Sequence, residues 1–136
     1  MFTLDLNWWA ILLSALVYFI IGMTWYSPLL FGNIWMKLSG IKMDKNKKPN
    51  MTKPIIVAIL SNLVLVFVLS NLNSLLGYAS FMEGAWLGFF VWLGFVAPIA
   101  IEKILWEGKP VKLYLINVIY HLVGLLIAGG ILSAWQ

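Results

Sequence analysis

Four uninterrupted apolar runs, at about 6–26, 54–76, 83–101 and 113–135, decide what this chain of 136 residues can fold into. Each is close to the ~20 residues that an α-helix needs to cross ~30 Å of hydrocarbon. In lipid the backbone amides of a span have to be satisfied within the segment, which favours helices. A transmembrane barrel would need alternating apolar and polar positions, and the runs have no such period. Composition agrees: 62% of residues are hydrophobic and 10% charged, against ~45–50% and ~25% in soluble domains. The expected fold is all-α, an integral membrane four-helix bundle forming a single transmembrane domain over 1–136.

Charge sets the expected orientation. Lys37, Lys42, Lys45, Lys47, Lys48 and Lys53 lie between the first two runs, Lys103, Lys109 and Lys112 between the last two, and there is no arginine. By the positive-inside rule both basic segments are cytoplasmic and both termini face outward. The lysines bunch in connecting segments, which points to anionic lipid headgroups as partners and away from nucleic acid. The first charge is Asp5 and no small-residue cleavage site follows the first run. That run is therefore expected to stay in the mature protein rather than act as a signal peptide.

Aromatic residues mark the span ends, as amphipathic rings do at headgroup level: Trp8 and Trp9 open the first, Trp25 and Tyr26 close it, and Tyr114 and Trp135 bracket the fourth. Trp92 lies mid-span and is expected to pack internally. After the first span Ser27 can cap a helix and Pro28 suits its first position. Leu30, Ile34, Leu38 and Ile41 then follow at helical spacing, with Trp35 beside them and Gly40 as a stop. The pattern predicts a short interfacial amphipathic helix over about 28–39, lying flat with Trp35 toward lipid. A polar cytoplasmic linker is expected over 42–53.

With no cysteine, a single histidine and neither a nucleophile-elbow nor a phosphate-loop motif, the chain is not expected to be an enzyme. No metal and no cofactor are expected. His121 is the one ionisable residue deep within a run. Such a group is a functional candidate by default, with proton relay the obvious role. The plainer reading is a neutral imidazole hydrogen-bonded to a neighbouring helix. Asn117 is one turn away, and Tyr18 and Asn62 on other spans are candidate partners, so His121, Asn117, Asn62 and Tyr18 form the candidate polar pathway. Ser14, Tyr18 and Gly22 make a small and polar stripe on the first span. Gly84 and Gly88 form a G-x-x-x-G pair that permits close helix approach. Pro98 can kink the third span near an acidic edge of Glu102 and Glu107.

The string Trp25-Tyr26-Ser27-Pro28-Leu29-Leu30-Phe31-Gly32, followed by Trp35, resembles that of a family of small bacterial four-span membrane proteins catalogued as a domain of unknown function. Gly94 to Pro98, Trp106 to Pro110 and Leu115 to His121 resemble further parts of its pattern, so the likeness covers essentially the whole chain. The resemblance implies four spans and the bacterial cytoplasmic (inner) membrane, and supplies no activity. Two function classes remain. One is a permease or channel for a proton or small solute, acting as an oligomer. The other is a non-catalytic accessory or scaffold protein that binds a membrane partner or lipid through the 28–39 helix and the W-Y-S-P turn. A water-filled cavity reaching His121 would favour the first, and a dry, tightly packed bundle the second.

Overall fold

The computed structural model describes residues 2–40 and 51–136. Its elements are α1 (Trp8–Trp25), α2 (Gly32–Ser39), α3 (Thr52–Leu76), α4 (Phe81–Val91), a π-helical turn (Trp92–Val96), α5 (Ala97–Glu107) and α6 (Val111–Ala134). Four helical stretches are long and apolar enough to cross a membrane: α1, α3, the continuous 27-residue run Phe81–Glu107, and α6. The chain is an all-helical membrane protein with the architecture of a four-helix bundle.

Local chemistry sets the helix ends. The Asn7 side chain accepts the Ala10 amide to start α1. Ser80 and Glu83 close a reciprocal capping box at the start of α4, satisfying amides that a helix N-terminus leaves orphaned. Gly40, Gly77 and Gly108 end α2, α3 and α5 with φ of 73°, 70° and 67°, a left-handed conformation that costs glycine nothing. The third span runs on to Glu107, where hydropathy alone ended it at 101, so Glu102 and Lys103 belong to the helix. Pro98 does not break it. Ahead of the proline the Ala97 amide reaches back to the Trp92 carbonyl in a π turn, and this local change of register lets the helix continue past the missing amide.

The segment after α1 differs from the expected helix over 28–39. Residues 26–31 form turns and the helix begins only at Gly32. Ser27 does not cap it: its hydroxyl donates back to the Thr24 carbonyl at 2.7 Å, while the Ser27 carbonyl accepts the Leu30 and Gly32 amides. Trp35 is half-buried rather than turned to lipid, set edge-on against Tyr26 with 5.6 Å between ring centroids. Most of the linker expected over 42–53 lies outside the described residues, and α3 has begun by Thr52.

α6 is the central helix, packing against α1, α3, α4 and α5 and touching α2. Half of its most apolar stretch is buried, against 17–28% for the other three spans. The closest approach is α4 to α6. A Cβ at Gly84 would strike the Gly129 carbonyl, and one at Gly88 the Leu125 carbonyl, so the small-residue pair brings the two backbones together as its spacing suggested. α1 lies antiparallel to α6. Asn7 Nδ2 donates to the Trp135 carbonyl at one end, and Tyr26 meets Asn117 toward the other. Ile11, Tyr18, Val66, Leu69, Leu125 and Leu132 fill the core. Leu16, Ile20, Val64, Phe90 and Ile99 stand exposed around it. On a soluble protein so much exposed apolar surface would be an aggregation hazard, whereas in lipid it faces its own solvent.

Candidate functional site

The W-Y-S-P turn docks the end of α1 onto the start of α6. The Trp25 indole donates to the Ile116 carbonyl at 3.0 Å, and the Tyr26 hydroxyl donates to Asn117 Oδ1 at 2.8 Å. Phe31 folds back against the Trp25 ring, 4.8 Å between centroids. Gly32 is buried where a Cβ would meet the backbone of Tyr26 and Ser27, so the last residue of the motif is the one that lets the turn close. Phe31 and Gly32 thus shape the turn that seats the Trp25 and Tyr26 donors on α6.

His121 sits ten residues into α6, about 15 Å along the helix axis. Its Nδ1 lies 2.6 Å from the Tyr18 hydroxyl. With that hydroxyl donating, the ring proton resides on Nε2. Tyr18 is 1% exposed, and its ring lies over Gly124, where a Cβ would collide with it. Tyr120 completes the cluster, its ring centroid 5.5 Å from those of both Tyr18 and Tyr26 and 4.6 Å from that of His121. Of the four residues in the expected pathway, Tyr18 and His121 are bonded to one another. Asn117 adjoins them through Tyr26.

A vestibule of about 360 Å³ leads from the lysine-rich end to this cluster, lined by Lys103 and Glu107 near its mouth, by Ala100, Ile104, Tyr114 and Val118 along its walls, and by Tyr26, Asn117 and His121 within. It exists because α4 hugs α6 while α5, beyond the π turn and Pro98, touches it more sparsely. The Tyr114 hydroxyl donates to the Ala97 carbonyl at 3.1 Å and pins the top of α5. Lys103 and Glu107 are 3.9 Å apart on one helix face, a solvent-side pair of the kind worth a few tenths of a kcal/mol. Glu102 is exposed and away from the vestibule lining. Asn62 does not join His121: it lines a separate wedge between α1 and α3.

On the far side of Tyr18 the bundle closes. Ile11, Val66, Leu125 and Leu132 are at most 2% exposed. Beyond them a second cavity of about 260 Å³ opens among Asp5, Asn7, Ala10, Ser70, Ser74 and Trp135. Between the two cavities the Ser14 hydroxyl is buried without a partner among the described residues. No cluster of three or more His, Asp or Glu side chains able to hold a metal occurs among the described residues. Tyr120 was not singled out from sequence, and Tyr114 and Lys103 were read there only as a span-end aromatic and a cytoplasmic charge. Tyr120 adjoins His121 in the chain, but helical geometry turns neighbours about 100° apart, and only the packing of α1 shows that both face it.

Residues 9–133 match the family model described as "Protein of unknown function (DUF1761)". The chain belongs to this family. The match begins at the second residue of α1 and ends one residue before the end of α6, so the family unit is the four-span bundle itself. No curated protein and no solved structure matches the chain.

Proposed function

We propose that the protein is a small permease or channel for protons or a small polar solute, with His121 at the inner end of its access path. The observation that supports this reading is the vestibule, which opens at the lysine-rich end and stops at the Tyr18–His121 pair. An ionisable ring at mid-depth, hydrogen-bonded on one side and reached on the other by a largely apolar cavity that presents Tyr26 and Asn117 beside it, is arranged as a relay or binding point is in membrane transport. In this reading the Asn117 carboxamide and the Tyr26 hydroxyl orient whatever enters, and the packed layer around Ile11, Val66 and Leu125 is the closed gate. The chain does no covalent chemistry. It works as an oligomer in the bacterial cytoplasmic membrane, with both termini outside and the lysines against anionic headgroups.

The dry packing beyond Tyr18 favours a second reading, an accessory or scaffold protein that binds a membrane partner or lipid through α2 and the W-Y-S-P turn. Flux separates the two. Purified protein in liposomes is expected to conduct protons or a small solute in a pH-dependent manner, and both His121→Asn and His121→Leu are expected to abolish that flux with the fold retained. Under the scaffold reading wild type shows no flux. His121→Asn is then tolerated, while His121→Leu lowers stability by about 1 kcal/mol, the usual worth of an interhelical hydrogen bond in a membrane.

A further inference from the structure

α3 is packed over only half its length. Its buried residues, Val66, Leu69, Ser70, Asn71 and Asn73, all belong to the second half. Yet Met51, Ile55, Ala58 and Asn62 precede Val66 and Leu69 at spacings of three and four, so they lie on the same helical face. That face turns toward its own bundle, but α1 has diverged from it. The result is a wedge of about 570 Å³ between the two helices, walled by Phe19, Gly22, Met23 and Ala58, with Asn62 and Tyr120 also on its lining. Among the described residues neither the Asn62 side chain nor the Tyr120 hydroxyl has a hydrogen-bond partner, although both are partly buried at span depth.

We infer that this wedge binds a small, membrane-dissolved apolar molecule carrying one hydrogen-bond-accepting carbonyl, its body lying between Phe19, Met23 and Ala58 and its carbonyl meeting the Asn62 amide and the Tyr120 hydroxyl. The volume falls in the ~300–1,000 Å³ range of small-molecule sites, and a mainly apolar lining with a few convergent polar groups is their usual chemistry. An unpaired amide in hydrocarbon is costly, so the occupant has to bring a polar atom to that depth. A lipid tail ends in a methyl group and cannot. A second copy of the chain would have to present its own Asn62, which faces inward on the same stripe as its core residues. The site is separate from the vestibule, sharing with it only the Tyr26 wall, and it stands whether or not His121 conducts.

The test uses two probes on the full chain in nanodiscs, an aryl ketone with an alkyl tail and a bromine on its ring, and the matched bromoaryl alkane without the carbonyl. Binding is read by quenching of tryptophan, since Trp25 lies 6.5 Å from Tyr120 between ring centroids. The ketone is expected to bind saturably and at least tenfold more tightly than the alkane. Asn62→Leu should remove that preference with helix content unchanged, and Ala58→Phe, which fills the wedge, should remove binding of both. Equal binding of ketone and alkane, or wild-type binding by Ala58→Phe, would overturn the inference. So would a stable dimer in native mass spectrometry that Ala58→Phe dissociates, because a second copy would then be the occupant.

Discussion

Gly84→Leu is expected to separate α4 from α6 and destabilise the bundle by about 3 kcal/mol or more, at or beyond the upper end of ordinary overpacking. The reason lies in what its side chain would meet. A Cβ at Gly84 points at the Gly129 carbonyl and the Ser133 Cβ, so the nearest obstacle is backbone of the central helix, which cannot rotate aside as a side chain can. Moving α4 outward would also disturb the Gly88–Leu125 contact one turn on, and the Gly129 carbonyl that accepts the Asn73 amide at 3.4 Å. Gly94 on the same span supplies the control: it has nothing within 4 Å of an added Cβ, and Gly94→Leu is expected to stay within about 0.5 kcal/mol of wild type, as exposed changes do. Reversible unfolding in mixed micelles would compare the two. Equal losses would mean that the α4–α6 contact is not the tight one.

Tyr18→Ala should cost roughly 3–5 kcal/mol, the range for deleting a buried aromatic ring. Tyr18 is among the largest fully buried side chains in the protein. Its ring covers Gly124 and abuts Tyr120, and its hydroxyl makes the only hydrogen bond of the His121 side chain among the described residues. Removing it opens a void between α1 and α6 and leaves the imidazole unpaired. Tyr18→Phe isolates the second effect, keeping the ring and deleting only the hydroxyl, with an expected loss near 1 kcal/mol. Thermal unfolding followed by circular dichroism distinguishes the variants. If Phe proves as damaging as Ala, the hydrogen bond rather than ring packing holds α1 to α6.

The helices were legible because hydrophobic length is a direct consequence of bilayer thickness, and no tertiary contact is needed to read it. The ends were less so. Glu102 and Lys103 look like a loop by polarity, but their backbone stays helical because the charged heads sit at the lysine-rich edge. Ser27 and Pro28 carry the cap-and-proline signature of a helix start, and the turn overrode it: Trp25 and Tyr26 anchor on α6, and residues 26–31 form turns before α2 begins at Gly32. Tyr18 was one of three candidate partners for His121, beside Asn117 and Asn62, since depth along the spans can be counted, and the structure pairs it with the histidine. The vestibule was not, because it depends on the divergence of α5 after the π turn. The wedge depends likewise on where α1 leaves α3, and Asn62 accordingly faces a cleft of its own rather than the histidine.

Thiol accessibility at Asn117 tests most directly whether water reaches the His121 cluster from the lysine-rich end. The chain has no cysteine, so single Asn117→Cys and Ala128→Cys variants report without background. Asn117 lines the vestibule one turn from His121, whereas Ala128 is 1% exposed on the closed side of Tyr18. In vesicles of known orientation a membrane-impermeant maleimide should modify Asn117→Cys when added at the lysine-rich face, leave it untouched from the face bearing the termini, and spare Ala128→Cys from both. An Asn117→Cys thiol that is silent from both faces, or that reacts only from the face of the termini, would contradict the account.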